Sequence, residues 1–257
     1  MKVFIAGATG VIGRPLTAQL IAANHEVVAM TRSDQRAVNL RDEGATPAVC
    51  DVFDRDQLRR CVEDARPDIV IHQLTALPKR IDPRKIKTQL AETNRLRIEG
   101  TKNLLDAALA AGAQRFIAQS IAFAYDAAGE GLKTEDNPLY KNPPKSFEEV
   151  IGAVRGLEET TLSNADLPGV VLRYGFFYGP GTVYASDASA AEDVRRKRFP
   201  VVGNGAGVFS FIHVEDAAEA TVAALQHGDP GIYNIVDDEP AVVADWLPVY
   251  AESVGAR

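Results

Sequence analysis

Gly7, Gly10 and Gly13 lie between a short β-rich run, Lys2 to Ala6, and an amphipathic stretch carrying Val11, Leu16, Leu20 and Ile21. In that strand–turn–helix setting, evenly spaced glycines can recognise the pyrophosphate of a dinucleotide. Gly7 lets the chain reverse sharply, Gly10 lets backbone N–H groups approach the phosphates, and Gly13 lets the helix pack closely on the strand. The helix N-terminus then offers unpaired N–H groups and a favourable dipole to the anion. Thr9, Val11 and Ile12 complete the expected cradle. The spacing is Gly-x-x-Gly-x-x-Gly rather than Gly-x-Gly-x-x-Gly, and the plainer alternative is a glycine turn that holds no ligand.

A second feature concerns which dinucleotide is bound. Glu26 to Thr31 reads as a buried strand, and Thr31-Arg32-Ser33 stands at its end. An NAD site places an acid there, whereas a guanidinium can fork onto the oxygens of a ribose 2′-phosphate. Arg32 therefore points to NADP(H) over NAD(H); Asp34, two residues on, is the competing acid, and a plain surface arginine would leave the choice open.

The elements that must position these residues alternate regularly. Strands are expected at Ala45 to Cys50, Asp68 to Gln73, Arg115 to Ser120 and Gly169 to Arg173, with helices at Asp54 to Ala65 and Thr88 to Ala111. That alternation predicts an α/β fold, a Rossmann-type doubly wound parallel sheet with right-handed crossovers. Asp51 and Val52 would border the adenine, and Leu74-Thr75-Ala76 would lie at the carboxyl edge, where α/β ligands bind. Embedded in its strand, His72 is expected to be a packed core imidazole. A Gly- and Pro-rich loop (Tyr125 to Ser146) precedes a helix whose capping box is Ser146 with Glu149. The aromatic–glycine loop 174–181 falls on the same sheet edge, and Phe123, Phe176, Phe177, Tyr178 and Phe209 are its pocket-lining candidates, each alternatively ordinary core. Regularity then falls, giving a dinucleotide core over 1–174 and a smaller C-terminal substrate lobe over 175–257, from which a late strand (about 209–214) and a helix return to the core.

Composition narrows the function classes. The chain has 257 residues, 46% of them hydrophobic, and a net charge of −7, which suits a full core and argues against nucleic acid. The densest basic cluster, Arg195-Arg196-Lys197-Arg198, reads as a solvated helix end. Cys50 and Cys61 form no metal-type or redox-type pair, no metal site is expected, and no apolar run is long enough to span a bilayer. A soluble cytoplasmic protein acting on a small molecule, and able to pair as a homodimer, is the expectation.

Taken together, Gly7-Ala-Thr-Gly-Val-Ile-Gly13, Cys50-Asp-Val-Phe-Asp54, Ile69-Val-Ile-His72, Asn94 with Gly100-Thr101, Leu172-Arg-Tyr-Gly with Tyr178-Gly-Pro-Gly181, and Phe211-Ile-His-Val-Glu-Asp-Ala-Ala218 resemble the extended short-chain dehydrogenase/reductase family, which holds sugar-nucleotide epimerases and dehydratases. The resemblance implies a cofactor site that also takes in Asn94, Gln119, Ser120, Tyr174, Gly175 and Phe176, and it makes His213 architectural. It further implies a Tyr-x-x-x-Lys pair with a Ser or Thr. Aligned on Pro144, the pair falls on Phe147 and Ile151; aligned on Glu158, it falls on Val150 and Val154. Neither register holds a tyrosine or a lysine. The usual hydroxyl position is Ile121, which leaves Ser120 as the nearest hydroxyl, with Tyr125 and Tyr174 as substitute phenols on the same face. Hydride transfer to a small carbonyl or activated alkene with a non-standard acid/base is one expectation; a catalytically silent NADP(H) sensor is the other.

Overall fold

In the computed structural model, which describes residues 1–82, 84–129 and 131–256, one parallel sheet organises the chain; Pro83, Glu130 and Arg257 lie outside the described residues. The first half runs β1 (Lys2–Ala6), α1 (Gly13–Ala22), β2 (Glu26–Thr31), α2 (Asp34–Asp42), β3 (Thr46–Val49), α3 (Arg55–Ala65) and β4 (Ile69–His72). Then come α4 (Ile86–Gln89), α5 (Ala91–Arg95), a π-helical turn (Leu96–Gly100), α6 (Thr101–Ala110), β5 (Arg115–Ile121), a 3-10 turn (Ala122–Ala124) and α7 (Glu148–Leu162). The remainder is β6 (Gly169–Tyr174), β7 (Phe176–Tyr178), α8 (Ser189–Arg195), β8 (Val208–Phe209), β9 (Phe211–His213), α9 (Val214–Ala223), β10 (Gly231–Ile235), β11 (Ala241–Val242) and α10 (Val243–Ser253).

Seven strands form the central sheet in the order β10-β6-β5-β4-β1-β2-β3, all parallel. The order reverses between β1 and β4, so the crevice at their carboxyl ends is the topological switch point. Each face of the sheet carries its own core. Val3, Ile5, Leu16, Leu172 and Tyr174 pack with α1 and α9 on one side; Phe4, Val70, Leu104, Phe116 and Leu157 pack with α3, α6 and α7 on the other. Strands buried on both faces read as continuous apolar runs, which is why they were legible.

Three expectations are corrected. The helix expected over Thr88 to Ala111 is broken at Leu90 and again by the π turn, where one extra residue per turn rotates the downstream helix. No capping box forms, because a turn from Phe147 N–H to the Pro144 carbonyl (2.7 Å) delays the start of α7; Phe147 stands at its N-cap without a side-chain bond, and Glu149 reaches Lys87 instead at 2.8 Å. The strand expected near 209–214 divides at Ser210. Its first part pairs with β11, its second with β7, both apart from the main sheet, while β10 is the late strand that joins it. Ser210 crosses so closely over Gly175 that a Cβ there would strike its carbonyl, so strand packing alone requires a glycine at 175.

Among the described residues no helix is long and apolar enough to cross a membrane, and no group of His, Cys, Asp and Glu is arranged to hold a metal. The two cysteines do meet. Burial first, then the neighbouring Cys61 thiol, pushes the Cys50 thiol well above its ordinary range. The β3–α3 connection closes a sequence gap too wide for a spacing motif.

Candidate functional site

The glycine turn joins β1 to α1 at the switch point. Gly7 has φ +100°, and a Cβ there would lie 2.6 Å from the Gln73 carbonyl. A Cβ on Gly13 would overlap the Gly7 and Ala8 backbone. Both glycines are therefore demanded by the fold. Gly10 differs: its Cβ would meet only the Gly7 oxygen at 3.2 Å, and the residue is exposed. Its bareness leaves room for something approaching from outside, which fits a pyrophosphate.

Asn94 supplies a second observation of fit. It is 7% exposed, and both its Oδ1 and Nδ2 are buried with no hydrogen-bond partner among the described residues. Orphaned amides of this kind are rare in native interiors and call for a ligand or water. Beside it the loop after β4 is fixed by Ala76 N–H donating to Thr93 Oγ1 at 3.1 Å. Leu74 is half-buried and Thr75 exposed on the same edge.

At the end of β2, Thr31 is buried and Arg32 projects outward. Its Nη1 lies 3.6 Å from Glu92 and 3.9 Å from Asp51, long and exposed contacts of little strength. Asp51 itself accepts from Phe53 N–H at 2.9 Å, and Val52 is buried beneath it. Sequence inspection missed Arg36. From the first turn of α2 its Nη1 reaches back to Thr9 Oγ1 at 3.5 Å, which puts a second guanidinium beside the glycine turn. The signal was available in retrospect, since Ser33 caps α2 and so turns the residue three positions on toward β1.

The three hydroxyls expected as acids or bases are all engaged. Ser120 Oγ donates to Glu158 Oε1 at 2.6 Å. Arg173 forks onto the same carboxylate, Nε to Oε1 and Nη2 to Oε2, both at 2.8 Å. Arg173 Nη1 also donates to the Tyr125 hydroxyl at 2.7 Å, and that hydroxyl donates to Asn234 Oδ1 at 2.7 Å. Ser120, Glu158 and Arg173 are each at most 5% exposed. Tyr174 points to the opposite face of the sheet, because side chains alternate along β6. It is fully buried, its hydroxyl meets Thr221 Oγ1 at 2.5 Å and Gln73 Nε2 at 3.4 Å, and burial raises its pKa to about 12. Tyr125 and Tyr174 thus do not share a face. Gln119 is half-buried on the Tyr174 side of β5.

At the carboxyl edge, three aromatic rings stack in series. Phe123 lies 4.3 Å from Phe176 at 13°, and Phe176 lies 4.6 Å from Phe209 at 22°. Phe123 is 39% exposed, so the open end of the stack faces solvent. Phe177 turns inward against Tyr174, and Tyr178 packs edge-on to His213, whose ring caps α9 through Glu215 N–H. Trp246 of α10, not foreseen as a partner, backs Phe209 and Phe211 at 5.7 and 5.3 Å.

His72 is a core residue. It is 1% exposed, with Nε2 3.0 Å from Thr101 Oγ1 and Nδ1 accepting from Leu74 N–H at 3.2 Å. Burial lowers its pKa from 6.5 to about 4. The unfolded chain therefore takes up this proton more readily. His72's contribution to stability is complete above about pH 6.5 and is lost as pH falls toward 4, by about 3 kcal/mol in all. Urea melts across that window are expected to slope less steeply with pH in His72→Gln than in the wild type; identical slopes would assign the acid sensitivity elsewhere.

The model of the NAD dependent epimerase/dehydratase family matches residues 3–236. The chain belongs to that family. Among its relatives, a 3-diazoavenalumate denitrifying reductase from a Streptomyces species is 47% identical over 258 residues, covering 100% of this chain and 82% of its own. A 4-hydroxy-2-methyl-3-oxo-4-farnesyl-3,4-dihydroquinoline-1-oxide ketoreductase from Stigmatella aurantiaca is 28% identical, covering 100% of this chain and 74% of its own. The UDP-glucose 4-epimerase of Thermus thermophilus, solved with NAD, is 25% identical with a TM-score of 0.75, covering 100% of this chain and 84% of that one. In this family member the inner face of α7 carries Val150 and Val154, 2% and 1% exposed, and Val154 packs with Ile121.

Proposed function

We propose that this protein is a nicotinamide-dependent reductase that prefers NADP(H) and delivers hydride to a small, flat electrophile needing no proton from the protein. The observation that carries the reading is the apolar wall of Ile121, Val150 and Val154, 7%, 2% and 1% exposed. The resemblance puts the family's proton-transfer pair on Val150 and Val154 in one register and on Phe147 and Ile151 in the other, and none of the four is a tyrosine or a lysine. Gly10, Thr9 and the α1 N-terminus would hold the pyrophosphate, Arg32 and Arg36 the 2′-phosphate, and Asn94 the nicotinamide end. The cofactor supplies a hydride. Added to an aryl diazonium, a hydride yields arene and dinitrogen, so charge and atoms balance without an acid; an activated alkene needs only a late proton from water. A ketone, whose developing oxyanion wants a donor, suits the wall less well. The denitrifying reductase named above supports the diazo acceptor. The exposed Phe123 ring offers a stacking surface for it where the core (1–174) meets the lobe (175–257).

Without a proton donor, rate must come from placement of donor and acceptor. The second reading, a silent NADP(H) sensor, is favoured by the engaged hydroxyls of Ser120, Tyr125 and Tyr174. The half-open aromatic stack counts against it.

Fluorescence titration is expected to give tighter binding of NADPH than of NADH, by about 10-fold or more, with the preference reversed in Arg32→Asp and reduced in Arg36→Ala. Equal affinities in the wild type would overturn the cofactor preference.

A further inference from the structure

Arg97 lies in the π turn, which packs directly against α7. It is 8% exposed, yet its side chain makes no hydrogen bond and no ion pair with any described residue. The nearby carboxylate, Glu158, is already taken by Arg173 and Ser120. Among the described residues, the buried Arg97, Arg173 and Glu158 therefore sum to one positive charge without a paired carboxylate. Burial depresses the Arg97 pKa to about 10, the sign of a guanidinium short of a partner. Its 8% exposure leaves a small part of the residue in contact with the outside. One helical turn before it stands Asn94, whose amide is orphaned on both atoms.

An unpaired buried cation is costly, and proteins retain one where a ligand completes it. A π turn inside a helix often marks such a place. The pyrophosphate is accounted for at the glycine turn, and a nicotinamide carboxamide is neutral and cannot compensate a charge. We propose that Arg97 binds a carboxylate of the substrate. The hydride acceptor is then a flat aromatic acid, oriented by its charge at the π turn and by its ring on the aromatic stack. This assignment rests on the reductase reading for its substrate, but its test needs no turnover.

The probe is 4-hydroxycinnamate, compared with its methyl ester, titrated into protein saturated with NADP+ and followed by ligand-observed NMR. The acid is expected to bind about 10-fold or more tighter than the ester. Arg97→Gln is expected to abolish that ratio while leaving NADP+ affinity unchanged. If Arg97→Gln does not fold, Arg97→Lys, which keeps the charge but loses the fork, is expected to narrow the ratio. Equal binding of acid and ester to the wild type, no binding of either, or a ratio that survives the substitutions would overturn the proposal. Failure of NADPH oxidation would bear on the reductase reading alone.

Discussion

Arg173→Met is expected to destabilise the protein by about 3–5 kcal/mol, measured as a lowered urea midpoint at unchanged slope. Arg173 and Glu158 are 4% and 7% exposed at their side chains, and the fork between them is bidentate. Burial works against the Arg173 charge, but its bonds to Glu158 and Tyr125 more than offset that and hold its pKa above the ordinary value. Removing the guanidinium leaves a buried carboxylate bonded only to Ser120, and it frees the Tyr125 hydroxyl that ties the loop after β5 to Asn234 on β10. The double variant Arg173→Met with Glu158→Leu is expected to recover much of the loss, because no charge is then stranded. Ser120→Ala should cost stability too, by about 1–3 kcal/mol, with NADPH affinity little changed. A loss of cofactor affinity that exceeds the loss of stability would return Ser120 to the cofactor face.

The two inner glycines separate fold from function. Gly13→Ala would drive a methyl into the Gly7 and Ala8 backbone, so the β1–α1 turn must open. Misfolding or a loss of several kcal/mol is expected, on the order of the worst overpacking effects. Gly10→Ala has only the Gly7 oxygen at 3.2 Å to accommodate and should fold with near-native stability. It should nonetheless bind NADPH about 100-fold more weakly, because the methyl occupies the approach to the pyrophosphate. Thermal melts together with NADPH titration distinguish the cases. Equal NADPH affinity in Gly10→Ala and wild type would remove the pyrophosphate from this turn.

The sheet was legible because its signals are local. Val3 to Ala6, Val27 to Met30 and Ile69 to Ile71 are short apolar runs closed by turn residues, and their alternation with helices admits few topologies. The glycine turn was legible for the same reason. The hydroxyl network was not, since Tyr125 meets Asn234 across 109 positions and Ser120 meets Glu158 across 38. Strand alternation alone could have separated Arg173 from Tyr174, yet nothing local says which face carries α7. Trp246 completes the aromatic cluster from the last helix, a contact no pattern announces. The π turn was hidden because its residues, Leu96 to Gly100, keep an ordinary helical composition, and so the isolation of Arg97 was hidden with it.

The most direct test mixes the protein with NADPH deuterated at the transferring carbon and a panel of aryl diazonium and activated-alkene acceptors, with Gly10→Ala as the control for uncatalysed reduction. The expected result is NADPH oxidation well above that control, deuterium in the product, and turnover flat between about pH 6 and pH 8, because no protein acid titrates in the step. Firm NADPH binding with no oxidation across the panel, or a steep limb in the pH profile, would contradict hydride delivery against an apolar wall.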